Sequence, residues 1–148
     1  MNVVDPNALQ IAQSIQLAVA PVFLLSGVGI VLTVLTNRLA RVVDRARKLE
    51  EAAAATNNTD LRERQEQLRI LWRRARLMNR AITLSVVCAL LVAFVVVAIF
   101  VNKFVVLDLS AAIAALFILG MLSFIAALLL FLREVFLSIA ALRFGSRK

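Results

Sequence analysis

The sequence predicts an all-α membrane protein that forms a single membrane domain over residues 1–148. We expect three transmembrane helices, with a cytoplasmic antiparallel coiled-coil hairpin between the first and the second. The chain is 62% hydrophobic with a mean hydropathy of +0.91, and its two Pro and four Gly favour helices over a turn-rich β protein. Twelve of its seventeen Lys and Arg lie in one segment, residues 37–80, between apolar runs.

The N-terminal part predicts an outer interfacial turn followed by the first transmembrane helix. Residues 5–16 mix glutamine with apolar side chains, a pattern typical of an interfacial segment. Residues 17–36 carry no charge, and twenty helical residues suffice to cross a hydrocarbon core of about 30 Å. One face of this helix, the small-residue stripe, offers either a helix-packing surface or the lining of a pore. The stripe consists of Ser26, Gly29, Thr33 and Asn37.

Residues 37–80 predict a helical hairpin, because apolar or small side chains recur every three or four residues in both halves. The predicted seams are Leu35, Leu39, Val42, Ala46, Leu49 and Ala53 in the first half, and Leu61, Gln65, Leu68, Trp72, Ala75, Asn79 and Ile82 in the second. A polar stretch at 56–59 separates the two halves. Folding about residue 58 places Asp44 opposite Arg73 and Arg74, which predicts charge pairs across the hairpin.

Two more spans complete the predicted membrane domain. Residues 81–101 and 109–132 carry no charge and are joined by an outer loop at 102–108, in which Asp108 can cap the third helix. Residues 133–148 predict a helix with a basic tail. The sequence leaves open whether this last segment lies in the membrane, on it or above it.

Charged residues near the predicted cytoplasmic boundary form a group that we call the boundary collar. The collar consists of Arg38, Arg41, Arg80, Arg133 and Glu134. Because a half-buried carboxylate needs a cation nearby, we expect Glu134 to form an ion pair with a collar arginine. The arginines are expected to contact anionic lipid headgroups, with an anion-selecting vestibule as the alternative.

The basic residues also predict the orientation. The hairpin carries twelve Lys and Arg and the C-terminal segment four, whereas the N-terminal tail has none and the 102–108 loop has one. Lys and Arg are enriched in cytoplasmic segments that flank transmembrane helices. We therefore expect a cytoplasmic hairpin and C terminus and an outer N terminus.

Three blocks carry a family resemblance: AVAPVFLLSGVGIVLTVLTNRLARVVDRARKLEE at 18–51, RRARLMNRAI at 73–82 and FLREV at 131–135. In these blocks the chain closely resembles a bacterial family of small three-span inner-membrane proteins, catalogued as domain of unknown function 2721. The resemblance runs from about Ile15 to Leu142. It implies bacterial origin and a location in the cytoplasmic (inner) membrane, and it implies no activity, cofactor or catalytic residue.

Composition argues against several classes of function. The chain has no His, which excludes His-based catalysis and His-ligated haem or metal, and Cys88 stands alone in an apolar span as a small buried side chain. No phosphate-binding loop, metal-ligand cluster or nucleophile with a base is present, so we expect no enzyme and no cofactor. The net charge of +8 comes from basic residues beside apolar runs, which indicates anionic membrane lipids and not nucleic acid.

Two functions fit these features. The first is a non-enzymatic assembly or accessory subunit that packs into a homo-oligomer or a larger membrane complex, because three helices bury only part of their surface within one chain. The alternative is an oligomeric ion channel or transport component with a pore between protomers. Such a pore would be lined by the small-residue stripe or by the boundary collar.

Overall fold

The computed structural model describes the backbone over residues 6–54, 61–102 and 108–145, and side chains over 11–13, 15–52, 65–102 and 108–137. These residues form three α-helices: α1 (Pro6–Ala54), α2 (Leu61–Val101) and α3 (Ser110–Gly145). The predicted polar stretch at 56–59, most of the predicted loop at 102–108 and the end of the basic tail at 146–148 lie outside the described residues. The all-helical prediction is confirmed.

An apolar stretch long enough to cross a membrane lies within each of Ile11–Ala52, Gln65–Val101 and Ser110–Leu137. Many of their large apolar side chains are exposed, among them Phe23, Ile30 and Leu129. An apolar surface of this extent suits a lipid environment. The chain is a multi-pass membrane protein by the length and composition of these helices.

The helices are longer than the predicted spans because no proline or glycine pair interrupts the charged segments. Residues 6–16, predicted as an outer turn, are the first turns of α1, which continues through Pro21 without a break. The charge-free part of α2 likewise continues from a charged N-terminal part. Residues 133–145, predicted as a separate segment, extend α3.

Contacts within the chain divide it into two compact units. The first unit contains Met1–Val31 and Ser85–Phe124. Most of its buried side chains are small or medium apolar groups, and the polar Ser85 is buried with them. Gly120 lets α3 approach α2 closely, because a Cβ there would lie 3.5 Å from Val92 Cγ2. The buried side chains of this unit include Ala18, Val28, Cys88, Val92 and Val95.

The second unit contains Leu32–Leu84 and Ile125–Lys148. Here α1 and α2 pack through a core cluster formed by Val42, Ala46, Leu71, Ala75 and Met78. Leu39, Leu49 and Leu68 flank this cluster, so the predicted seam of α1 agrees with the packing. The coiled-coil geometry and the cytoplasmic location of the hairpin stay predictions.

The predicted seam of α2 is wrong at three positions. Trp72 is 45% exposed, and Gln65 and Asn79 are exposed as well. Leu71 and Met78 are buried instead. The indole N–H of Trp72 donates to Glu50 Oε1 at 3.3 Å, which holds this amphipathic ring at the edge of the core.

Two polar contacts shape the start of α3. The backbone N–H of Ser110 donates to Asp108 Oδ1 at 3.0 Å, and that of Leu109 donates to Asn102 Oδ1 at 3.0 Å. Free N–H groups at a helix N terminus are stabilised by such side-chain acceptors. Asp108 therefore caps α3, as the sequence predicts.

The cap makes the stability of this helix end depend on pH. The side-chain hydrogen bond from Ser110, followed by its backbone N–H, lowers the pKa of Asp108. A carboxyl whose pKa is lowered by folding stabilises the fold above its unfolded value of about 3.9, and this contribution is lost as the pH falls through the folded pKa. We expect Asp108→Ala to be less stable than wild type at pH 7 and equally stable below that folded pKa, measured by unfolding in detergent. A difference that persists unchanged at low pH would contradict this assignment.

Candidate functional site

The most distinctive polar feature of the described residues is a buried carboxylate on α3, and we call it with its partners the ion-pair site. Glu134 is 1% exposed. Its Oε2 accepts a hydrogen bond from Arg38 Nη1 at 3.0 Å, and its Oε1 accepts one from Arg74 Nη2 at 2.8 Å. Arg38 belongs to α1 and Arg74 to α2, so one carboxylate joins all three helices of the second unit.

The helical repeat positions these groups. Glu134 lies seven residues after Ala127, which is fully buried, and Arg38 lies three residues after the buried Leu35. Side chains three, four or seven residues apart share a face of an α-helix. Both groups therefore lie on or beside the packed face of their own helix, where they meet.

The ion-pair site has more cationic groups than anionic ones. Two guanidinium groups contact one carboxylate, and the side chains of Arg38 and Arg74 are 33% and 20% exposed. The guanidinium carbon of Arg38 also lies 5.2 Å from the centre of the Phe131 ring, a distance typical of a cation–π contact. The anion is thus enclosed, while both cations keep access to the surface.

The other members of the boundary collar lie elsewhere. Arg41, Arg80 and Arg133 have exposed side chains, and none of them forms an ion pair with another residue that the structure describes. The structure brings together Arg38 and Glu134 and leaves the other three arginines at the surface.

The predicted charge pairs of the hairpin are likewise rearranged. Arg74 contacts Glu134, whereas Asp44 and Arg73 are exposed and form no ion pair within the described part of the chain. Successive residues of an α-helix are separated by about 100°, so Arg73 and its neighbour Arg74 point in different directions. Sequence reasoning missed Arg74 at this site; its position three residues after Leu71 would have indicated it, had the seam of α2 been assigned correctly.

The small-residue stripe is exposed along its whole length. Ser26, Gly29, Thr33 and Asn37 all have exposed side chains or Cα atoms. A Cβ added at Gly29 would meet nothing within 4 Å. Within the chain, α1 packs instead through a different face, which includes Val28 and Leu35.

The side chains that could perform other chemistry are few. Cys88 is buried, as expected from its apolar surroundings. Over the described ranges, no three His, Cys, Asp or Glu side chains lie close enough together to hold a metal ion.

Comparison with known protein families gives one match. Residues 18–144 match a family described as "Protein of unknown function (DUF2721)". The matched region includes Arg38, Arg74 and Glu134. No match was found among curated proteins or among solved structures. The family resemblance inferred from three sequence blocks is thus confirmed, and the chain belongs to the DUF2721 family.

Proposed function

We propose that this protein is a non-enzymatic assembly or accessory subunit, which packs into a homo-oligomer or a larger complex in the bacterial inner membrane. The observation that carries the proposal is the exposed small-residue stripe of α1. Small residues allow helix backbones to approach closely in a membrane, where lipid provides no hydrophobic drive for association. A small-residue stripe that is exposed on α1 can serve as a surface for another helix.

The ion-pair site supports a structural role. Both oxygens of Glu134 accept hydrogen bonds from arginines of other helices. A buried carboxylate that accepts two hydrogen bonds fixes the arrangement of the helices around it. We infer that it keeps the part of α1 in the second unit, which carries Thr33 and Asn37, in a defined orientation toward a partner.

The proposed topology places the hairpin and the C terminus in the cytoplasm and the N terminus outside. The charge distribution along the sequence supports it, because Lys and Arg concentrate in these two segments. In this orientation Arg41, Arg80 and Arg133 reach the anionic headgroups of the cytoplasmic leaflet, since arginine stems can lie along apolar surface.

Two glycine substitutions test the assembly. Gly29 belongs to the stripe, whereas Gly27 is equally exposed, lies outside it and also has nothing within 4 Å of an added Cβ. We expect Gly29→Leu to lower association roughly tenfold, which corresponds to about 1.4 kcal/mol of lost packing. Native mass spectrometry of the protein, isolated from its own membranes in nanodiscs, measures the share of assembled chains.

The control Gly27→Leu should assemble like wild type, because leucine at this position faces lipid. A wild-type protein that is released only as a monomer, without a second protein at fixed ratio, would contradict the proposed function. Ion conductance after reconstitution into pure-lipid vesicles would instead support the alternative function, an oligomeric ion channel.

A further inference from the structure

The α2 half of the hairpin carries an exposed surface that is separate from the small-residue stripe and from the ion-pair site. Arg69, Arg73 and Arg76 have exposed side chains and line an open groove of about 530 Å³ together with Glu66 and Ile70. Their spacing of four and three residues places them within an arc of about 60° on one face of the helix. We call this surface the arginine groove.

The three arginines have no ionic partner among the residues that the structure describes. Arg74, which does have one, lies about 130° around the helix from the centre of the groove. The groove therefore faces away from the ion-pair site. Neighbouring guanidinium groups repel each other, and an anionic partner would relieve this repulsion.

The length of the groove argues against lipid headgroups as its occupant. The charge-free part of α2 begins at Ala81, so Arg80 marks the membrane boundary. With a rise of 1.5 Å per residue, Arg73 lies about 10 Å and Arg69 about 16 Å beyond Arg80 along the helix. The headgroup layer of one leaflet is only about 5 to 8 Å thick. Two of the three arginines thus extend past the phosphates.

Charge argues against a second copy of the hairpin, and chemistry argues against nucleic acid. Residues 37–80 contain twelve basic and six acidic side chains, so a second hairpin would bring more positive than negative charge to the groove. The groove also contains the carboxylate of Glu66 and the side chain of Ile70, which is 52% exposed. An exposed isoleucine between arginines suits an amphipathic protein surface and offers no contact to a phosphate backbone.

We propose that the arginine groove binds an acidic amphipathic helix of a partner protein. Carboxylates on that helix, at the same spacing of four and three residues, pair with Arg69, Arg73 and Arg76, and an apolar side chain contacts Ile70. The planar guanidinium group binds carboxylates in two parallel hydrogen bonds, which favours arginine at such a site. This inference rests on the proposed function, since it names the chemistry of the partner that an accessory subunit would bind.

A designed peptide tests the groove directly. The probe is a fluorescent helical peptide with three Glu at positions i, i+4 and i+7 and one Leu between them, added to the full chain in zwitterionic nanodiscs. We expect saturable binding, and we expect the triple variant Arg69→Gln, Arg73→Gln, Arg76→Gln to lower the affinity roughly tenfold to hundredfold. A peptide of the same composition with scrambled Glu positions should bind the wild-type protein as weakly as the designed peptide binds the triple variant.

The matched control changes three basic residues of α1 that are also exposed. Arg45→Gln, Arg47→Gln, Lys48→Gln removes the same charge and should keep the wild-type affinity. Equal losses in the two triple variants would overturn the proposal, because only net charge would then matter. The charge-reversed triple Arg69→Glu, Arg73→Glu, Arg76→Glu should instead bind a peptide whose three Glu are replaced by Lys.

Three further outcomes would overturn the groove as a protein-binding site. They are absence of peptide binding, complete competition by anionic lipid in the nanodisc, and tighter binding of a short RNA duplex than of the peptide. None of these results changes the oligomeric state measured for Gly29→Leu and Gly27→Leu. Failure of the arginine groove and failure of the proposed assembly are therefore distinguishable.

Discussion

Glu134→Gln is expected to lower the free energy of unfolding by about 3 to 5 kcal/mol, because it leaves Arg38 and Arg74 without their shared anion. Removing one partner of a buried ion pair costs more than the pair contributes, since the remaining charges stay desolvated. The partial exposure of both arginines places the expected value at the lower end of this range. Reversible unfolding in detergent, followed by circular dichroism, measures the difference.

Two controls separate this effect from a general sensitivity of α3. Arg133→Gln changes the neighbouring exposed residue and should alter stability by no more than about 0.5 kcal/mol. Replacing Arg38, Arg74 and Glu134 together by Met should recover most of the loss, because a packed apolar triad can substitute for a buried ionic one. If Glu134→Gln unfolds like wild type, the carboxylate does not hold the three helices together.

The pairing of Glu134 with Arg38 could be predicted from the sequence. A single carboxylate follows a charge-free run of α3, and a helical rise of 1.5 Å per residue brings it level with the arginine that follows the charge-free run of α1. The energetic cost of burying an unpaired anion then requires a cation nearby. The contribution of Arg74 could not be foreseen in the same way, because it depends on the rotation of α2 about its axis.

That rotation was misassigned because two seven-residue patterns overlap. Leu68 and Ala75 belong to both the predicted and the observed seam, so they cannot distinguish them. Between these positions the sequence pattern predicts that Trp72, the larger apolar group, is buried. In the structure Leu71 is buried instead. A tryptophan has a polar N–H and favours an edge position where that group finds an acceptor.

The three helices themselves were predictable, since uninterrupted apolar stretches of some twenty residues have few alternatives in a membrane. The sequence does not reveal which helix faces pack within the chain and which await a partner. Val28 and Gly29 are adjacent in α1, yet the first is fully buried and the second exposed. Small residues suit intramolecular and intermolecular packing equally well, so composition alone does not decide between them.

Met78→Ala is expected to lower the free energy of unfolding by about 2 to 5 kcal/mol, because Met78 is 2% exposed and belongs to the core cluster of α1 and α2. Its neighbour Asn79 provides the matched control, since the sequence-derived seam places Asn79 in the core and the structure places it at the surface. Asn79→Ala should therefore change stability by no more than about 0.5 kcal/mol. Unfolding of both variants in the same detergent shows directly whether the observed or the predicted face of α2 is buried. A larger loss for Asn79→Ala than for Met78→Ala would mean that α2 is rotated by about one residue, or 100°, from the arrangement described above.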